Sequence, residues 1–127
     1  NLSNPVNVLT THSSWLMSSL VMGANGLLSG AGSVIANLQV LLFNAIKTKD
    51  LKKAQEINDK IFPLVQAFYS PPFLDMHNRM KETLVLLNRV EKAFVRPPLM
   101  KLPLDEIEAL RKVIKKIRPS NSNRLCC

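Results

Sequence analysis

Polar and apolar positions divide the chain into stretches of different period. Val6-Asn7-Val8-Leu9-Thr10-Thr11 is a β-branched run behind Pro5 and predicts a strand. Over residues 12–22, Trp15, Leu16, Leu20 and Val21 recur at helical spacing. Ser13 or Ser14 is the expected N-cap of that helix, and Gly23 its closing residue. Gly26-Leu27-Leu28-Ser29 is a second short apolar run. The turn Gly30-Ala31-Gly32-Ser33 then leads into a helix over residues 34–48. Strand, helix, strand, helix with short connections predicts a parallel pair of strands with helices on its faces. Two strands alone would leave their outer edges unpaired, so this stretch reads as the end of a larger α/β unit.

Beyond residue 49 the period is helical. Leu51, Ala54, Ile57, Ile61, Leu64, Val65 and Phe68 form one stripe, with Pro63 inside it marking a kink or a fresh start. Ser70-Pro71-Pro72 is a break. Leu74, Met76, Met80, Leu84, Leu87 and Val90 form the next stripe, and Asn88 is suited to close that helix in the left-handed conformation. Arg96-Pro97-Pro98 and Pro103 mark a rigid loop. Asp105 and Glu106 open a last helix, whose Ile107, Leu110, Val113, Ile114 and Ile117 face inward. Residues 119–127 read as a frayed tail.

Composition narrows the classes. A length of 127 residues fits one domain, and 46% hydrophobic residues exclude a disordered chain. The two cysteines are the last two residues, which excludes a disulfide framework and a cysteine zinc site. No His, Asp and Glu cluster has metal spacing, so no metal is expected. The net charge of +8 is unevenly placed: residues 1–46 carry no Lys, Arg, Asp or Glu at all. Such a stretch is buried either in protein or in lipid. Residues 27–46 have the length of a membrane anchor, and Lys47, Lys49, Lys52 and Lys53 follow at once. Asn37, Gln39, Asn44 and the poorly helical Ser29–Ser33 segment weigh against lipid, and the parallel-sheet reading is preferred. The basic last helix lacks interleaved aromatics and carries Glu106 and Glu108, so no nucleic acid is expected. Residue 1 is not Met and no charged leader opens the chain, so it reads as part of a longer protein.

Four motifs, in order, carry a resemblance. They are Gly23-Ala24-Asn25-Gly26-Leu27-Leu28-Ser29; Lys47-Thr48-Lys49-Asp50 through Ala54; Lys81-Glu82-Thr83-Leu84 followed by Asn88; and Val95-Arg96-Pro97-Pro98-Leu99. The first is similar to an eighth-strand G-x-x-G-x-I-S, and the third to a K-x-x-L that a glycine usually follows. The last is similar to v-R-x-P-l. Together they resemble the C-terminal part of the dihydrodipicolinate synthase / N-acetylneuraminate lyase family, over roughly residues 6–117.

The resemblance implies an α/β fold, the C-terminal fragment of a (β/α)8 TIM barrel. Its last two strand–helix units would occupy residues 1–48 and an α-helical C-terminal domain residues 49–118. It implies a class I lyase or aldolase acting on pyruvate or a related 2-oxo acid, without a cofactor. It also implies a homo-oligomer, tetramer or dimer, in the cytoplasm, with the mitochondrion as the other location. Barrel active sites lie at the C-terminal ends of the strands. Thr11, His12, Ser13, Leu28, Ser29 and Gly30 are therefore the candidate substrate-binding residues, Leu28 standing at the family's pyruvate-lining position. The family's loop after the seventh strand usually carries Gly and an acid. Thr11-His12-Ser13 replaces them, so the family's contacts to the rest of the substrate do not carry over.

The family's nucleophile is a sixth-strand lysine that forms a Schiff base with the keto carbon. Residues 1–46 contain no lysine, and those from Lys47 onward fall in the helical part. No catalytic residue is therefore assigned within this chain. A truncated, catalytically dead paralogue with a binding or structural role is the alternative. His12 has the chemistry of a general base, with a polar loop residue as the plainer reading. His77 reads as structural or solvated. Gly30–Ser33 before a helix resembles a phosphate-binding turn but lacks the lysine and the P-loop spacing. Arg96 is expected to tie the helical part to the barrel by charge-assisted hydrogen bonds. Cys126-Cys127 lacks a C-a-a-X lipidation motif.

Overall fold

A computed structural model describes residues 6–117; the expected tail and Cys126-Cys127 lie outside the described residues. Strands β1 (Leu9–Thr10) and β2 (Gly26–Leu27) run parallel, with Leu9 opposite Gly26 and Thr10 opposite Leu27. Three bonds extend the pairing. The Asn25 amide donates to the Val8 carbonyl at 2.7 Å, and the Leu28 amide to the Thr10 carbonyl at 2.8 Å. The Val8 amide donates to Oδ1 of Asn25 at 2.8 Å. β1 is shorter than the run over 6–11 because only backbone-paired residues make a ladder, and β1 has one neighbour. The strands approach closely enough that a Cβ on Gly26 would stand 3.0 Å from Cδ2 of Leu9.

Between the strands lie a 3-10 turn (Ser13–Trp15) and helix α1 (Leu16–Val21). The cap is His12 rather than either serine: its Nδ1 accepts the Ser14 amide at 3.3 Å. Leu16 and Leu20 are buried, but Trp15 and Val21 are exposed. The tighter 3-10 turn puts Trp15 out of phase with the α-helix that follows, which displaces the expected stripe. Gly23, at φ 105°, closes α1. Its amide donates to Leu20 and that of Ala24 to Ser19, the paired bonds of a Schellman motif.

Helix α2 (Gly32–Lys47) begins two residues before its expected start and carries one irregular residue, Ile35. A second Schellman motif ends it at Lys49, with φ 60°: Lys49 donates to Ile46 and Asp50 to Ala45. The membrane-anchor alternative for residues 27–46 is corrected here, since Leu27 is in a strand and α2 has 16 residues. Among the described residues no helix is long and apolar enough to cross a membrane.

Helix α3 (Leu51–Phe68) is capped by Asp50, whose carboxylate accepts the Lys53 amide at 3.0 Å. It passes through Pro63 without ending. Ala54, Ile57, Ile61, Leu64, Val65 and Phe68 are buried as the stripe predicts, while Leu51 is exposed. The chain divides into two compact units, the first up to Asp59 and the second from Lys60. In the second, a 3-10 turn (Phe73–Asp75) precedes α4 (Met76–Leu86), and α5 (Leu104–Ile117) follows a long loop. Asn88, at φ 56°, closes α4 with a third Schellman motif.

The α4 stripe is a correction. Leu74 and Val90 are exposed, and the residues buried on α4 are Asn78, Arg79, Met80, Glu82 and Thr83. Arg79 and Asn78 are buried there because they anchor irregular backbone. Arg79 donates to the carbonyls of Phe68, Ser70, Pro71 and Pro72, and Asn78 to that of Met100. Arg96 is exposed and, among the described residues, makes no ion pair; within the second unit the charge-assisted anchoring is made by Arg79.

Candidate functional site at the strand ends

Parallel pairing puts the C-terminal ends of β1 and β2 on one side. Thr11, His12 and Ser13 follow the end of β1, and Leu28, Ser29 and Gly30 follow that of β2. The structure joins two of these six residues directly. The Ser13 and Ser29 hydroxyls are 2.6 Å apart and hydrogen-bonded, either being the donor. The two strand ends are thus fastened to each other by side chains beyond the last backbone bond of the ladder.

Gln39 completes the cluster. From the second turn of α2 its Nε2 donates to the Ser29 hydroxyl at 2.9 Å. It is a buried amide, whereas Asn37 and Asn44 on the same helix are exposed. Gly32 gives it room, since a Cβ there would meet its Oε1 at 3.0 Å. The sequence reading counts Gln39 only as evidence against lipid. The signal available was a lone amide on the apolar side of α2, where a polar group needs a partner.

The other four residues sit around this pair. Leu28 is exposed, as are Thr11 and Gly30, so these present themselves beyond the strand ends. His12 is half-buried and its Nδ1 is held by the Ser14 amide. The Gly30–Ser33 turn does not offer an anion cradle. The amides of Gly32, Ser33 and Val34 already donate to the carbonyls of Ser29, Gly30 and Ala31, and the Ser33 hydroxyl to Gly30. Among the described residues no three His, Cys, Asp or Glu side chains converge as a metal site would require.

Comparison with known proteins bears on what stands around these ends. The model of the dihydrodipicolinate synthetase family matches residues 4–117. No curated protein matches the chain. Three solved structures illustrate the likeness in fold. Dihydrodipicolinate synthase from Aquifex aeolicus is 26% identical, with a TM-score of 0.77 over 91% of this chain and 38% of its own. N-acetylneuraminate lyase from Fusobacterium nucleatum is 19% identical, with a TM-score of 0.73 over 86% of this chain and 36% of its own. YagE, a prophage protein of the dihydrodipicolinic acid synthase family from E. coli K12 solved in complex with pyruvate, is 23% identical. Its TM-score is 0.76 over 87% of this chain and 37% of its own. The chain thus spans well under half the length of each.

Proposed function

Because the chain belongs to the dihydrodipicolinate synthetase family, we propose that it is the C-terminal portion of a lyase or aldolase acting on pyruvate or a related 2-oxo acid. The two strands are the seventh and eighth of a (β/α)8 barrel, and residues from about 49 onward form its helical C-terminal domain. The match over residues 4–117 carries this reading. The placement of Thr11–Ser13 and Leu28–Gly30 at one end of a parallel pair supports it, because that is the catalytic end of such a barrel.

The chemistry supplied by the rest of the barrel is a lysine Schiff base to the keto carbon, which acts as an electron sink. What this chain contributes is shape and position. Leu28 forms an apolar wall beside the 2-oxo acid. Ser29, fixed by Ser13 and Gln39, holds the eighth strand end in register with the seventh. His12 follows the seventh strand end at the mouth, where the family's acid is missing. The assembled enzyme is a homo-oligomer, tetramer or dimer, in the cytoplasm or the mitochondrion.

The test is borohydride trapping with pyruvate, read by intact mass, on this chain and on the product of the longest reading frame that contains it. The expected result is an adduct on the longer product only. An adduct on this chain alone overturns the placement of the nucleophile outside it. No adduct on either overturns the enzyme reading and leaves a binding or structural role.

A further inference from the structure

The loops beyond the two strand ends are almost free of charge. His12 is the only ionisable side chain in residues 1–46. Thr11-His12-Ser13-Ser14-Trp15 follows β1 and Leu28-Ser29-Gly30-Ala31 follows β2, on the side where a barrel of this kind binds its substrate. A ligand ammonium meets no carboxylate in these loops. A ligand carboxylate or phosphate meets no lysine or arginine.

The polar groups of the loops are engaged with one another. The Ser13 and Ser29 hydroxyls share a bond, and Ser29 also accepts from the buried Gln39. The amides of Trp15, Gly32, Ser33 and Val34 donate to carbonyls of the same loops, which takes up N–H groups that could otherwise hold an anion. What the ends present instead is apolar. Leu28 is 67% exposed and Trp15 63%. The Ser13–Ser29 bond fixes the two loops to each other: Leu28 precedes Ser29, and Trp15 closes the turn that Ser13 opens. A charged group set against them loses its hydration and gains no partner, a cost that an aliphatic group does not meet.

Resting on the lyase reading above, we propose that the second substrate is an aldehyde whose chain beyond the carbonyl is uncharged and apolar, and that this chain lies against Leu28 and Trp15. In the aldol direction, the enamine carbon of the pyruvate Schiff base forms the new carbon–carbon bond to the aldehyde carbon, whose oxygen takes up a proton. Water then releases the 4-hydroxy-2-oxo acid and frees the lysine.

The test uses the longer product, first trapped with pyruvate and borohydride. It is then supplied with saturating pyruvate and three aldehydes that differ only in their last group: butanal, succinic semialdehyde and 3-aminopropanal. The 4-hydroxy-2-oxo acid formed is read by mass. The expected result is a kcat/KM for butanal about tenfold above that for either charged aldehyde. Trp15→Lys supplies the missing charge and brings succinic semialdehyde about tenfold closer to butanal. Leu28→Lys, read as the same ratio, decides the matter if Trp15→Lys does not fold. On a product that traps pyruvate, the proposal is overturned if a charged aldehyde is used as well as butanal, if none of the three is used, or if neither lysine changes the ratio. A product that does not trap pyruvate overturns the lyase reading itself, and this proposal with it.

Discussion

The Nε of Arg79 donates to Oε2 of Glu106 across 3.0 Å, joining α4 to α5, while the rest of the same guanidinium donates to four carbonyls of residues 68–72. The reason lies in the Ser70-Pro71-Pro72 break. Neither proline has an N–H, so no continuing helix can satisfy the last carbonyls of α3. One planar fork of donors does it instead. Arg79→Met would leave those carbonyls buried and unpaired, and Glu106 without its cation. The expected cost is about 3 kcal/mol or more. Arg79→Lys keeps the charge but not the fork and should cost about 2 kcal/mol. Glu106→Gln, at a side chain 34% exposed, should cost about 1 kcal/mol or less. Urea unfolding measures all three, and equal midpoints for wild type and Arg79→Met would refute the anchoring role.

A second prediction concerns the fastening of the strand ends. Ser29→Ala removes the partner of Ser13 and the acceptor of Gln39 together, and should cost about 2 kcal/mol. Gln39→Leu removes only one of those bonds and should cost about 1 kcal/mol. The double variant should cost about 1 kcal/mol less than the sum, because both substitutions delete the same bond. Gly32→Ala should act on the same cluster, since its methyl would displace the Gln39 amide. Gly26→Ala is the contrast: its methyl meets the far end of the half-exposed Leu9, which can turn away. Thermal unfolding of the five variants should rank Gly26→Ala as the mildest.

Leu28 separates stability from binding. At 67% exposure its truncation removes little packing, so Leu28→Ala should change stability by no more than about 0.5 kcal/mol. As an apolar wall beside the 2-oxo acid, the same truncation in the longer product should raise the pyruvate concentration needed for half-maximal trapping about tenfold. An unchanged concentration dependence would remove Leu28 from the pocket.

What was legible in the sequence follows from which interactions are local. Gly23 and Asn88 announce their helix ends because residue type alone permits the left-handed conformation. The α3 stripe is legible because seven apolar residues repeat on one face. The parallel pair is legible from the order of its elements. Arg79 is not legible, since an arginine in a charged helix reads as solvated and its partners are backbone carbonyls outside α4. Arg96, flagged by its proline neighbours, carries none of that load. At the candidate site, Ser13 and Ser29 were named from their position in the chain. Gln39, whose contact to Ser29 is made across a turn and a helix, was not. Lys49 was missed as well, because nothing about a lysine predicts a positive φ.

Lys49 yields the last prediction. It holds the C′ position of α2 at φ 60°, which favours glycine or asparagine. Both Schellman bonds are formed there, Lys49 to Ile46 at 3.0 Å and Asp50 to Ala45 at 2.9 Å, so the turn itself is intact. What the lysine adds is the clash of its Cβ with the backbone, about 1–2 kcal/mol for a left-handed residue. Glycine removes that strain but gives back part of it through the entropy of its unfolded chain. Lys49→Gly should therefore stabilise by about 0.5–1 kcal/mol, and Lys49→Asn by less. Gly23→Ala is the mirror case. Nothing stands within 4 Å of a Cβ at Gly23, so its φ of 105° alone sets the penalty. That penalty should be about 1–2 kcal/mol of destabilisation. Melting temperatures that rise for Lys49→Gly and fall for Gly23→Ala would show that backbone strain, not side-chain contact, governs both helix ends. A fall for Lys49→Gly would mean that the lysine side chain itself contributes more than its backbone costs.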